Sequence, residues 1–89
     1  MSQEEIINFT LAAYNAGEGR IQQCIEFARG IGKDPLYWKN ICESIPYMSD
    51  PKKYLGEETS IRKFSGKETI KYVEEVLRRC EEYKMSVLP

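Results

Sequence analysis

The sequence contains no histidine and little cysteine, and both facts exclude classes of chemistry. Without histidine, neither a serine–histidine nor a cysteine–histidine nucleophile pair can form. The three cysteines, Cys24, Cys42 and Cys80, are widely spaced and form no C-x-x-C pair, so a zinc site is not expected. Each cysteine falls on an apolar position of a predicted helix, which predicts a free, buried thiol. We therefore expect no metal and no cofactor.

A basic surplus and long apolar runs are also missing. The 89 residues carry 13 basic and 14 acidic side chains, for a net charge of −1. A general nucleic-acid-binding protein needs a basic surplus to displace counterions, so that class is excluded. No apolar stretch approaches the roughly 20 residues that span a bilayer, and no signal peptide is evident. The length allows one domain, residues 1–89, or a fragment of one.

Capping residues and apolar spacing predict the first two helices. Ser2 followed by Glu5 is a capping box, so a helix is expected to begin near Gln3 and to end at the glycines after residue 16. Helical spacing predicts its apolar face from five residues: Ile6, Ile7, Phe9, Thr10 and Ala13. The second helix ends at Gly30-Ile31-Gly32 and is predicted to turn four residues inward: Ile21, Cys24, Ile25 and Ala28.

Two further helices complete an all-α fold with four helices. Asp34-Pro35 predicts a short third helix, with the aspartate as N-cap, that turns Trp38 and Ile41 inward and breaks at Ile45-Pro46. Residues 46–64 show no sustained period, which predicts a long irregular loop before the last helix. A second capping box begins that helix, which is expected from about residue 66 to residue 84. Its predicted inward face is Ile70, Val73, Val76, Leu77 and Cys80.

The stretch Leu-Ala-Ala-Tyr-Asn-Ala-Gly-Glu-Gly-Arg, residues 11–20, is the most distinctive in the chain. Tyr14 and Asn15 lie in the last turn of the first helix, among small residues that allow another segment to approach closely. An asparagine offers both a donor and an acceptor, and a tyrosine offers an aromatic face with a polar tip. This pair suits a sugar, which presents hydroxyls and an apolar face. The alternative is that Tyr14 packs and Asn15 only caps the helix.

The order of motifs along the chain resembles that of a known family. Ala-Tyr-Asn-Ala-Gly is followed by Asp34-Pro35, Trp38, Ile45-Pro46 and the segment Glu68-Thr69…Tyr72-Val73. This order, over about residues 5–84, is similar to the C-terminal half of the lytic transglycosylase domain (SLT-type, with a goose-lysozyme-like fold). The residues of these motifs are especially similar to those of the membrane-bound lytic murein transglycosylases.

The resemblance implies an activity and a set of site residues. Members of this family cleave the glycan of peptidoglycan without water, at the MurNAc–GlcNAc bond. One glutamate acts as acid and then as base while the sugar's 6-hydroxyl closes a 1,6-anhydro ring. By resemblance, Tyr14, Asn15 and Tyr72 are substrate-binding residues in the saccharide cleft, and Trp38 is a core residue. The implied partner is the peptidoglycan strand, and the implied location of the parent protein is the bacterial cell envelope.

The family's catalytic Glu-Ser motif and the Gly-Leu-Met-Gln-type segment after it do not precede Tyr14-Asn15 in this sequence. Glu43-Ser44 has the right residues but the wrong order, since it follows the tyrosine–asparagine motif. We therefore assign no catalytic residue and expect this chain alone to be inactive. Two alternatives remain: a non-catalytic helical module that binds glycan or another protein, and an apolar face that pairs with a second copy or with the upstream half of the domain.

Overall fold

The computed structural model describes residues 1–87 of the 89-residue chain. Five α-helices follow one another: α1 (Gln3–Ala16), α2 (Glu18–Gly30), α3 (Trp38–Ser44), α4 (Pro51–Leu55) and α5 (Lys67–Val87). A 3₁₀ helix, Ile45–Ser49, continues α3. The described part contains no strand, so the all-α prediction is confirmed. None of its helices has both the length and the apolarity needed to cross a membrane.

The predicted count of four helices is wrong, because the predicted loop at residues 46–64 is partly helical. Pro46 and Pro51 lie in the first turns of the 3₁₀ helix and of α4, where the missing N–H group of proline has no intrahelical partner to lose. Met48 and Pro51 are buried, so this segment contributes to the core. After α4, the stretch from Gly56 to Gly66 is irregular.

The core lies where α1, α2, α3 and the first half of α5 meet. Its largest fully buried side chains include Phe27, Ile41, Met48 and Val73. Trp38 is 7% exposed and meets Phe9 edge-to-face, with ring centroids 5.6 Å apart. The predictions that Trp38 and Ile41 face inward are therefore confirmed.

The first helix packs only part of its predicted face: Phe9 and Ala13 contact the core, whereas the residues of the first turns do not. Ile6 and Ile7 are 51% and 43% exposed, whereas Ala12 is fully buried and Phe9 packs against the core. α1 contacts both α2 and α5, and the two isoleucines of its first turns lie outside the buried part of the helix.

Glycine ends both of the first two helices. Gly17 has φ of 96°, a value that favours glycine, and separates α1 from α2. Gly32 follows α2 with φ of 83°; its N–H donates to Arg29 O at 3.1 Å, and Lys33 N–H donates to Ala28 O at 2.9 Å. These two bonds form a Schellman motif, so the predicted stop of the second helix is confirmed.

The start of α3 differs from the prediction. The Asp34 carboxylate accepts from Leu36 N–H at 3.0 Å in a local turn, and the helix begins only at Trp38, after Tyr37. The Glu5 carboxylate of α1 accepts from Trp38 N–H at 2.7 Å. The N-terminus of α3 is therefore capped by a side chain from another helix, which local spacing does not reveal.

Only the first half of α5 is packed. Thr69 and Val73 are buried, whereas Leu77 is 36% exposed and Cys80 is exposed. The 21-residue helix is about 30 Å long at 1.5 Å per residue and projects beyond the other helices, which gives the molecule extents of 56 × 23 × 18 Å. The predicted burial of Leu77 and Cys80 is therefore wrong, because both lie in the part of α5 that projects beyond the other helices of residues 1–87.

Candidate functional site

The end of α1 is joined to the start of α5 by one side-chain hydrogen bond. Thr69 Oγ1 donates to Asn15 Oδ1 at 2.8 Å, between residues 54 positions apart in the chain. Thr69 is only 4% exposed, whereas Asn15 lies at the surface. The bond fixes the orientation of the Asn15 amide, because its oxygen is held by the buried hydroxyl. The two motifs predicted to share a site are thus in contact.

The two predicted tyrosines lie in different surroundings. Tyr14 is 83% exposed, so its ring is not a packing residue. Tyr72 lies one turn after Thr69 on α5, is half-buried and packs against the core. The structure therefore connects the Asn15 end of α1 with the helix that carries Tyr72, and leaves Tyr14 projecting into solvent beside Asn15.

Tight backbone geometry follows the asparagine. Gly17 N–H donates to Ala13 O at 2.8 Å, and Gly17 O accepts from Ile21 N–H at 3.1 Å, so α2 begins at once. This brings Gly19 and Arg20 next to Ala16 along the wall of one cavity of about 510 Å³. Tyr14, Asn15 and Tyr72 are not among the residues that line this cavity.

The glutamates considered from the sequence are engaged elsewhere. Glu43 Oε2 lies 3.1 Å from Lys33 Nζ, and the buried Ser44 donates through Oγ to Asn40 O at 2.7 Å. Glu5 accepts from the backbone of Trp38, as described above. Glu43 thus forms an ion pair with Lys33 near the end of α3, and Ser44, the next residue, is buried.

The three cysteines are free and differ in exposure. Cys24 is buried, Cys42 is half-buried and Cys80 is exposed, so the prediction of a buried thiol is wrong for Cys80. Burial raises the pKa of the Cys24 thiol to about 12. Burial, with a smaller effect of the Glu74 charge, raises the pKa of Cys42 to about 11. Both thiols are therefore protonated and unreactive at neutral pH.

Three site features were not predicted from the sequence: Thr69 as the partner of Asn15, Glu5 as the cap of α3, and Lys63 O as the acceptor for Arg20. A polar residue on the inward face of the last helix was a usable signal for Thr69. The other two depend on contacts between segments far apart in the chain, for which local patterns give no signal.

The fold and site together define a class: a small all-α domain in which a tyrosine–asparagine helix end is held against the N-terminal half of a long amphipathic helix. No family model matches the chain, and no solved structure matches it. Curated relatives do match it.

The chain is 30% identical over 69 residues to the membrane-bound lytic murein transglycosylase F of Desulfosudis oleivorans, covering 78% of this chain. It is 32% identical over 68 residues to the protein of the same name from Maricaulis maris, covering 76% of this chain. A third match, to membrane-bound lytic murein transglycosylase F 2 of Alkalilimnicola ehrlichii, is 39% identical over 44 residues, or 49% of this chain.

The matched segment is a small part of each relative: 15%, 14% and 10% of their respective lengths. The resemblance predicted from the order of motifs is confirmed. Over most of its length, this chain is homologous to a region of the membrane-bound lytic murein transglycosylases F.

Proposed function

We propose that this chain forms one wall of a peptidoglycan-binding cleft in a lytic murein transglycosylase domain of the bacterial cell envelope. In this role Tyr14, Asn15 and Tyr72 contact the saccharide, and the chain supplies no catalytic acid. The relatives named above support the domain assignment. The proposal depends most on the Thr69–Asn15 hydrogen bond, which connects the end of α1 to the helix that carries Tyr72.

Each residue has a role that its surroundings allow. Asn15 Oδ1 is occupied by Thr69, so the amide Nδ2 is directed by that bond and can donate to a sugar hydroxyl. The exposed Tyr14 ring can stack on the apolar face of a sugar. Tyr72 is held by the core and can present its hydroxyl at a fixed position. Together these side chains would orient a glycan strand.

Bond cleavage needs a proton donor for the leaving oxygen, and the family uses a single glutamate for it. Glu43 contacts Lys33 and Glu5 contacts the backbone of Trp38, and neither hydrogen bond lies at the Asn15–Thr69 surface. We therefore propose that the 89-residue chain binds glycan without cleaving it. Clearing of a suspension of purified cell walls by this chain would contradict that part of the proposal.

Titration of an N-acetylglucosamine hexamer into ¹⁵N-labelled protein tests the binding surface. We expect amide shifts centred on Tyr14, Asn15 and Tyr72. Tyr14→Ala should weaken binding about fivefold, because an aromatic contact is worth about 1 kcal/mol. Tyr83→Ala is the matched control, since Tyr83 is also exposed but lies in the projecting half of α5.

Thr69→Val tests the orienting role of the hydrogen bond, because valine keeps the shape of threonine without its hydroxyl. We expect weaker hexamer binding with the fold retained. Equal binding by the wild type, Tyr14→Ala and Thr69→Val would refute the assigned surface. Shifts confined to other residues would instead favour the protein-interaction alternative.

A further inference from the structure

Basic side chains line three adjoining cavities. The cavity beside Ala16 and Gly19, about 510 Å³, shares Arg20 and Arg62 with a second cavity of about 430 Å³. The second cavity shares Lys63 with a third, of about 610 Å³, which Lys67 also lines. We call this continuous surface the basic groove and define it by Arg20, Lys52, Arg62, Lys63 and Lys67.

The charge of the groove is opposite to that of the whole chain. Its walls carry five basic side chains and one carboxylate, Asp50, whereas the chain has a net charge of −1. Lys52 Nζ lies 3.9 Å from a Glu57 oxygen. The other four basic side chains have no carboxylate within 4.0 Å in residues 1–87. The groove thus presents uncompensated positive charge, which an anionic ligand would neutralise.

The groove is also preorganised. Arg20 Nη1 donates to Lys63 O at 3.1 Å, and Arg20 Cζ lies 5.1 Å from the centre of the Phe64 ring. Gln23 Oε1 accepts from Arg62 N–H at 3.2 Å. These contacts hold the Arg20 guanidinium and the backbone at Arg62 and Lys63 against α2, while the side chains of Arg62 and Lys63 are exposed. A preplaced cation loses less entropy when it binds an anion.

We propose that the basic groove binds the carboxylates of the peptide branches that peptidoglycan carries on its glycan. This inference rests on the proposed function, because the groove begins at Ala16, directly after Tyr14 and Asn15. A glycan lying over these two residues would place its peptide substituents next to Arg20 and Arg62. Guanidinium groups bind carboxylates through paired hydrogen bonds, and the lysines add attraction without a fixed geometry.

The test compares two probes and two variants. The probes are the peptide-free N-acetylglucosamine hexamer and a disaccharide–tetrapeptide fragment of peptidoglycan, each titrated at low ionic strength. The groove variant is Arg62→Gln/Lys63→Gln, in which the backbone contacts of both residues are kept. The control variant is Lys39→Gln/Arg79→Gln, which removes the same charge from exposed positions outside the groove.

We expect the groove variant to bind the disaccharide–tetrapeptide about tenfold more weakly, since each exposed ion pair contributes a modest amount. Its hexamer affinity should be unchanged, and the control variant should bind both probes like the wild type. The charge-conserving exchange Arg62→Lys/Lys63→Arg should restore most of the affinity. Circular dichroism establishes that each variant is folded.

Failure of this inference is distinguishable from failure of the proposed function. Equal binding of the disaccharide–tetrapeptide by the groove variant and the wild type would overturn the inference, even if the hexamer binds at Tyr14. Groove-dependent binding of the disaccharide–tetrapeptide without any hexamer binding would support the groove and refute the saccharide surface. Inorganic phosphate that displaces the fragment at an equal concentration would overturn the assignment to peptide carboxylates.

Discussion

The cap that α1 provides for α3 allows a quantitative test of the fold. Glu5→Ala removes the acceptor for Trp38 N–H, a bond of 2.7 Å at a residue that is 7% exposed. Loss of a helix cap costs about 1 kcal/mol, and a buried donor left without a partner costs about 1–3 kcal/mol. We expect the free energy of unfolding to fall by about 1.5 kcal/mol. For a domain of this size the Tm should fall by about 6–12 °C.

Urea unfolding followed by the fluorescence of Trp38, the one tryptophan, measures this change. Glu5→Gln should lower the free energy of unfolding by less than half as much as Glu5→Ala, because the amide oxygen of glutamine can still accept a hydrogen bond from Trp38 N–H. Glu4→Ala is the control: Glu4 is exposed in the same first turn, so it removes only the attraction to the helix dipole, about 0.5 kcal/mol. If Glu5→Ala and Glu4→Ala agree within about 0.3 kcal/mol, far below the cap term, the cap makes no net contribution and the reasoning is wrong.

Two further predictions use glycine and cysteine. Gly66→Ala should destabilise the fold by about 1–3 kcal/mol in urea unfolding, because the added Cβ would lie 2.9 Å from Ile45 and Phe64 side-chain atoms. Gly19→Ala, inside α2 and facing open space, should instead stabilise it by about 0.5–1 kcal/mol, and the opposite order would contradict the packing around Gly66. A thiol reagent at pH 8 should label Cys80 rapidly and Cys24 only on unfolding. Because burial raises the pKa of Cys24 to about 12 from its ordinary 9.0, stability should fall as pH rises above about 9, and immediate labelling of Cys24 in the folded protein would refute its burial.

Local sequence signals correctly predicted the features that depend on a few neighbouring residues. The start of α1 at Ser2 and the end of α2 at Gly32 followed from capping chemistry, and Trp38 and Ile41 face inward as their spacing predicts. The order of motifs along the chain predicted the similarity to the lytic murein transglycosylases. These features require no knowledge of which helices pack together.

Predictions failed where a contact between distant segments decides the outcome. The helical spacing predicted that Ile6 and Cys80 would be buried like their apolar neighbours. Both are exposed, because burial also requires another helix to pack against that part of the chain. Asp34 is a residue type that commonly caps helices, but the carboxylate that caps α3 is that of Glu5 from α1. Of the candidate site, the residue types were predictable, but the bond from Thr69 was not.

The hydrogen bond between Asn15 and Thr69 has a consequence for the order of folding. It closes a loop of 54 residues, and closing a flexible loop of that length costs about 3.5 kcal/mol in chain entropy. Contacts within α1 and α2 are local and can form early, whereas the surface around Asn15 needs α5 in place. During synthesis, the helix end with Tyr14 emerges long before its partner. The surface around Asn15 and Thr69 is therefore among the last parts of the molecule to become complete.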